Sequence, residues 1–275
     1  MDNHLKGMTT KDIQMVSLDI LNDVHKFCVN NHIKYTLQGG TLLGAIRHNG
    51  FIPWDDDIDI AMPRPDYELF CKTYKSSKGY QLRCRENGDS WLMFARVFES
   101  EKTLVKCNRY PWTETETGVW IDIFPLDGAE DDFDTASRRI HRIQKVFRKS
   151  QRVRSAFVDL KAAGWLLPKV KLMVKKLLYH KSNKVFDVYE KMCKEVPYGS
   201  TEHYCNIAYL WYGMKEYHRT DVLKNCILHQ FEDRQYYIME GYDEALHEKF
   251  GDYMKLPPME QRISNHSIHQ YYWKD

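Results

Sequence analysis

The chain has 275 residues, 43% hydrophobic and 28% charged, with a formal net charge of +2. A chain of this size buries enough surface to fold without staples. Its near-neutral charge removes any global case for nucleic-acid binding, so no nucleic-acid partner is expected.

Seven widely spaced cysteines without a C-x-x-C pair argue against a disulfide framework and a standard zinc finger. The start, MDNHLKGMTTKD, lacks the apolar stretch of a signal peptide. No run of about 18 apolar residues is present to span a bilayer. The expectation is a reduced, soluble, cytoplasmic protein.

Thr9-Thr10-Lys11-Asp12 predicts a helix N-cap, with Asp12 near the positive end of the helix dipole. Ile13, Val16, Ile20, Val24 and Phe27 recur at helical spacing and predict one buried face, ending at Asn30-Asn31. Residues 33–37 (IKYTL) suit a short strand, which Gly39-Gly40 breaks before TLLGAIR begins a helix. Beyond Pro53, DIDIAM (57–62) alternates acid and apolar residues and reads as a strand. Pro63 and Pro65 stop it, and Pro65 suits the first turn of a helix over 65–75.

Strand-like pieces follow at 80–84, 94–98 and 103–106, then VWIDIFPL at 119–126. From Asp131-Asp132 a long helix is expected, with Phe133, Ala136, Ile140, Ile143 and Phe147 inward, then helices over 165–180 and 183–195. The tail predicts a strand over 226–231 and a helix over 242–250 closed by Gly251. This divides the chain into a core over 1–128, a mostly helical segment over 129–225, and a C-terminal segment over 226–275 that packs back on the core.

The most informative segment is Trp54-Asp55-Asp56-Asp57-Ile58-Asp59-Ile60. On a strand, Asp57 and Asp59 share one face and the isoleucines the other. Two such carboxylates suit one hard cation such as Mg²⁺ or Mn²⁺, completed by waters and substrate phosphates; without a cation they would repel and raise each other's pKa. A solvated acidic loop is the competing reading. Gly39-Gly40-Thr41 lies between a predicted strand and helix, where backbone N–H groups can hold phosphate, although a Gly-Gly pair is more often a simple turn. Asp122, inside WIDIF, is expensive to bury unless something pairs with it; an edge-strand acid facing water is its competing reading. Arg47, on the helix after the Gly-Gly turn, is a candidate diphosphate contact or else a surface arginine covering apolar neighbours, with Arg64 and Arg96 weaker candidates.

Read in full, LQGGTLLGAIRHNGFIPWDDDIDIAMPRPDYELF, VWIDIFPLDG and FGDYMKLPPMEQRISNH resemble the LicD family, relatives of the fukutin-related proteins in the nucleotidyltransferase superfamily. The likeness covers about 30–128 and, less fully, 245–270; residues 130–225 carry no matching words. It implies an α/β (α+β) fold, a nucleotidyltransferase-like mixed-sheet core with a helical insertion or appendage. It implies transfer of phosphocholine from CDP-choline, or of another alcohol phosphate such as ribitol phosphate from a CDP-alcohol, to a sugar hydroxyl. The acceptor would be a glycan or lipid-linked glycan of the lipopolysaccharide or teichoic acid type, and CMP would leave. The family's metal acids fall on Asp57, Asp59 and Asp122, and its Gly-Gly turn on Gly39 and Gly40.

Choline recognition calls for aromatic faces, and Tyr209, Trp211, Tyr212 and Tyr236-Tyr237, with Glu232 nearby, are the candidates without a choice among them. Residues 161–181 (KAAGWLLPKVKLMVKKLLYHK) combine apolar residues with six lysines. That pattern suits either a core helix with a lysine face or an amphipathic helix on the anionic inner face of a membrane. Two competing functions remain: NMP transfer from an NTP to a small molecule, and an inactive relative that only binds glycan or nucleotide. His247-Glu248 lacks the second histidine of a metalloprotease motif, because position 251 is Gly.

Overall fold

The computed structural model describes residues 5–85, 93–107, 117–162, 168–208, 212–263 and 269–274. Its elements in chain order are β1 (Lys6–Gly7), α1 (Thr10–Asn30), β2 (Thr36–Leu37), α2 (Gly39–His48), β3 (Asp59–Pro63), α3 (Arg64–Thr73), β4 (Gln81–Arg83), β5 (Ala95–Phe98), β6 (Thr103–Cys107) and β7 (Trp120–Ala129). Then come α4 (Phe133–Ala162), α5 (Pro168–Cys193), β8 (His203–Cys205), β9 (Tyr217–Arg219), β10 (Cys226–Phe231), β11 (Arg234–Met239), α6 (Tyr242–Phe250) and β12 (His269–Trp273).

The fold is α+β around a mixed sheet in the order β2-β3-β7-β5-β4, extended by β8 and β9 from the far end of β7. β3 and β7 run parallel, and their neighbours β2 and β5 run antiparallel to them. β1, β12 and β6 form a second small sheet, and β10 and β11 a hairpin.

Local chemistry accounts for the early elements. Thr9 and Asp12 close a reciprocal capping box on α1, satisfying orphan N–H groups at its start. Ile20, Leu21 and Val24 of α1 join Ile58, Ile60, Ile121 and Ile123 in one core in which every one of these side chains is fully buried. Burying each contributes about 1.5–3 kcal/mol, so β3 and β7 are anchored by the residues that alternate with their acids.

Several expectations about element boundaries are corrected. The strand over 33–37 shrinks to β2, and Gly39-Gly40 opens α2 rather than preceding it. Gly39 takes φ 58°, a left-handed conformation that glycine adopts without strain, so the chain turns directly into the helix. β3 starts at Asp59, not Asp57, because Asp122 N–H first meets the sheet at the Ile58 carbonyl (2.9 Å). The helices expected over 165–180 and 183–195 are one helix, α5; nothing in Lys181-Ser182-Asn183 forces a break.

Phe133 is 53% exposed, against expectation, whereas Ala136, Ile140 and Ile143 are buried. It stands at the first turn of α4, with its ring edge-on to Tyr217. Ile140 and Ile143 pack with Tyr189, Cys193, Cys205 and Ile207, which fastens the α4–α5 hairpin to the sheet extension. Arg139, 1% exposed, donates to the carbonyls of Gly128 (2.7 Å) and Met192 (3.0 Å) and locks the same junction. On α5, Val170, Met173 and Leu177 are exposed at i, i+3 and i+7; residues 163–167, part of the same expected amphipathic stretch, lie outside the described residues. Among the described residues no helix is long and apolar enough to cross a membrane.

Candidate active site

Three strands bring their polar residues into one row. Asp59 of β3 pairs in register with Asp122 of β7, and Asp122 with Arg96 of β5. Residues in register on neighbouring strands point to the same face, with strands about 4.8 Å apart, so Asp59, Asp122 and Arg96 line one side of the sheet. Asp59 is 4% exposed. Asp122 lies in the middle of the sheet and not at an edge, and it is held by a two-pronged ion pair from Arg96 (Nε to Oδ1 2.7 Å, Nη2 to Oδ2 3.2 Å). Arg96 in turn stacks on Trp120, its Cζ 4.0 Å from the ring centre. This pairing meets the cost of burying an acid in an apolar strand.

The Gly-Gly turn and Thr41 are tied to the same point. The Thr41 hydroxyl accepts from Asp59 N–H (2.9 Å), and Gln38 N–H donates to the Asp59 carbonyl (2.9 Å). Asp55 faces the start of α2: a Cβ on Gly40 would lie 2.8 Å from Asp55 Oδ2. A carboxylate there is favoured by the positive end of the helix dipole, and any side chain at position 40 would make the Asp55 carboxylate shift.

Asp57 is half-buried and precedes β3, so strand alternation does not put it on the face of Asp59. Its charge is nevertheless felt with theirs by two tyrosines. Burial, then Glu216, Asp59, Asp55 and Asp57, push the Tyr212 phenol above its ordinary pKa. Burial, then Asp56, with Asp57 and Asp122 behind it and Arg96 opposing, push up that of Tyr271. Asp55, Asp57 and Asp59 thus act on one ring and Asp56, Asp57 and Asp122 on the other, with Asp57 common to both.

Among the described residues no three His, Cys, Asp or Glu side chains close into a metal cage. Magnesium does not need one, since one or two carboxylates with waters and substrate phosphates suffice. The hard oxygens of Asp59 beside Asp122 fit that smaller requirement.

Sequence reading missed the groups behind the acids. Gln38 Nε2 donates to Glu216 Oε2 (2.9 Å), and Glu216 pairs through its other oxygen with Lys249 of α6. Glu216 is 0% and Lys249 5% exposed. The Lys249 ammonium also sits 4.3 Å from the centre of the Tyr212 ring. Gln38, in the LQGG word, and Lys249, in the helix expected over 242–250, were the available signals, but nothing in the sequence joined them; Glu216 stands in a segment without recognisable pattern.

The arginine candidates end in different places. Arg64 is bound to Asp127 by two hydrogen bonds of 2.7 Å, and Arg96 to Asp122. Arg47 Nη1 donates to the Tyr253 carbonyl (2.8 Å), on the C-terminal segment. Of the aromatic candidates, Tyr236 is fully buried and Tyr237 packs on Tyr35, while Glu232 accepts from Phe51 N–H (3.0 Å). Tyr209 and Trp211 lie outside the described residues.

Comparisons with known proteins bear on this arrangement. Residues 32–158 match the family described as LicD/FKTN/FKRP, nucleotidyltransferase domain. The lipopolysaccharide cholinephosphotransferase LicD of Haemophilus influenzae is 32% identical over 273 residues, 95% of this chain and 97% of that one. An uncharacterised Rickettsia prowazekii protein, RP689, is 49% identical over 66 residues, 24% of this chain and 25% of its own. The human ribitol 5-phosphate transferase FKRP is 53% identical over 30 residues, 11% of this chain and 6% of its own.

Proposed function

The chain belongs to the LicD family and is a phosphotransferase, and on that premise we propose that it moves phosphocholine from CDP-choline to a sugar hydroxyl of a cell-surface glycan precursor. The observation that carries this reading is the alignment with a cholinephosphotransferase along nearly the whole of both chains. The row of acids on β3 and β7 supports it, because it lies inside the matched domain.

The hydroxyl oxygen attacks the phosphorus that carries choline. The bond from that phosphorus to the CMP oxygen breaks, CMP leaves, and the hydroxyl proton goes to a carboxylate or to water. Asp59 and Asp122 are the residues whose side chains would hold Mg²⁺ or Mn²⁺, with Asp57, which lies just before β3 and off its alternation, as the third candidate ligand; the ion when bound would offset the negative charge growing on the leaving phosphate. Arg96 fixes the direction of the Asp122 carboxylate, and Thr41 and Gln38 fix the backbone of Asp59. Trp120, 6% exposed, and Tyr271 cover the Arg96 side of the row and limit water there.

Calorimetry with CDP-choline, CDP-ribitol and ATP, each with and without Mg²⁺, tests the donor. Choline-selective, metal-dependent binding is expected. Binding of CDP-ribitol alone would replace the alcohol and keep the reaction class, a reading favoured only by the short match to FKRP. Binding of ATP alone, with pyrophosphate released in place of CMP, would overturn the proposal. The acceptor is proposed to be of the lipopolysaccharide or teichoic acid type. The exposed Val170, Met173 and Leu177 of α5 suit a peripheral contact with an anionic membrane bearing it. Failure to co-sediment with anionic vesicles at low salt would remove that contact.

A further inference from the structure

The C-terminal word FGDYMKLPPMEQRISNH has no part in the chemistry above, yet its described residues, 250–263, fold against the first word. Its Tyr253 carbonyl accepts from Arg47 Nη1 at 2.8 Å, and its Lys255 carbonyl lies 3.5 Å from the same nitrogen. Its Arg262 guanidinium lies over Trp54, with Cζ 5.5 Å from the ring centre. Trp54 immediately precedes the acidic run, and His48, which accepts from Arg47 Nε (3.0 Å), meets the Trp54 ring edge-on. Arg47, His48, Trp54 and Arg262 are thus one cluster built from both ends of the chain.

Among the described residues no carboxylate lies within ion-pair distance of its two arginines. Arg262 spends its Nε on the Pro257 carbonyl (2.9 Å), and Arg47 its Nε and Nη1 on the acceptors just given. Among the described residues neither arginine pairs with a carboxylate, while Arg64, Arg96 and Arg139 all do. Burial and the neighbouring Arg262 charge both lower the pKa of Arg47. Two guanidinium groups brought together without an acid are unfavourable until an anion comes between them. Their remaining N–H groups are planar forks suited to phosphate oxygens.

We propose that Arg47 and Arg262, backed by the Trp54 indole, form an anion site that takes a phosphate group of one of the enzyme's two substrates. The shared chemistry is a phosphate ester. The reading of a phosphate-bearing donor and glycan acceptor rests on the function proposed above, but the anion site itself does not. Arg262 is the cleaner probe, because Arg47 also holds the C-terminal segment in place.

The test compares the full-length protein with Arg262→Ala and Arg262→Lys by calorimetry in EDTA, so that no metal at the carboxylates contributes. The ligands are inorganic pyrophosphate, CDP-choline and glucose 6-phosphate, and thermal melting checks that each variant is folded. Pyrophosphate is expected to bind the native protein and to bind Arg262→Ala at least tenfold more weakly, with Arg262→Lys between them. A matching loss for CDP-choline assigns the site to the donor, and one for the sugar phosphate assigns it to the acceptor. Pyrophosphate binding that responds to Arg262 without any CDP-choline binding would keep the site and sink the proposed donor. Equal pyrophosphate affinity in the native and folded Arg262→Ala proteins, or none in either, would overturn the proposal.

Discussion

The acids of the sheet and the ion pair behind them are placed by different means. Asp59 and Asp122 are set by backbone register between two parallel strands whose alternate residues are fully buried isoleucines. Gln38, Glu216 and Lys249 come from three separate parts of the chain and are set by side-chain contacts with one another. A change at an acid should therefore alter chemistry and spare the frame. A change in the Gln38–Glu216–Lys249 network should strain the frame first and affect chemistry through it.

The largest effect expected is at Asp59. Asp59→Asn keeps the shape and the backbone bonds to Thr41 and Gln38. It should lower turnover on the order of 10³-fold or more, beyond the 10–100-fold typical of losing a group that only orients a ligand. CMP release measured beside a thermal melt checks both halves. Retained turnover would break the assignment, and a collapsed melt would break the contrast with the network.

Next is Lys249→Met, which strands the fully buried Glu216 carboxylate and should cost about 3–5 kcal/mol of stability. The double variant with Glu216→Met removes both charges and should recover most of that loss. Urea unfolding of the single and double variants gives the coupling directly. A single variant as stable as the parent would show that the network does not frame the site.

Arg96→Lys tests the border between the two behaviours. It keeps a cation near Asp122 but loses the two-pronged pairing and the flat stack on Trp120. Turnover should fall about 10–100-fold, as for groups that orient a ligand, with donor KM nearly unchanged. A KM effect alone would move Arg96 from orienting Asp122 to binding substrate.

The smallest effect concerns how the C-terminal hairpin is held. His25 of α1 bonds to the Tyr35 hydroxyl (2.6 Å) and packs against Tyr236 and Tyr237 of β11. Burial, and then Lys26, lower its pKa in the folded protein. The unfolded chain therefore binds more protons below about pH 6.5. This contribution to stability is complete above that pH and is lost as the pH falls toward the folded value. Melting temperatures from neutral to mildly acidic pH should decline less steeply in His25→Asn than in the parent. Equal slopes would remove His25 as a proton-sensitive contact.

Much of the first half was legible because its signals are local. Thr9 with Asp12, Pro65 after β3, and the alternation in WIDIF each act within a few residues, and α1, α3 and β7 appear where they were expected. Boundaries failed where a long-range bond decides them, as when the Asp122–Ile58 bond delays the start of β3. Phe133 was misjudged because helical spacing carries no information on how far a helix extends beyond its neighbours. The strands β8, β9, β11 and β12 were not foreseen, since each is defined by its pairing and not by its composition.

The sequence alone determined the family likeness, the α+β class and two strands carrying acids among buried isoleucines. Period-two alternation and apolar burial are properties of adjacent residues, and so they are written locally. Tertiary structure alone decided that Arg96 holds Asp122, that Glu216 and Lys249 stand behind Gln38, and that Arg262 returns to Trp54. Each of those contacts joins residues far apart in the chain, and a charge has no partner until the fold brings one within reach.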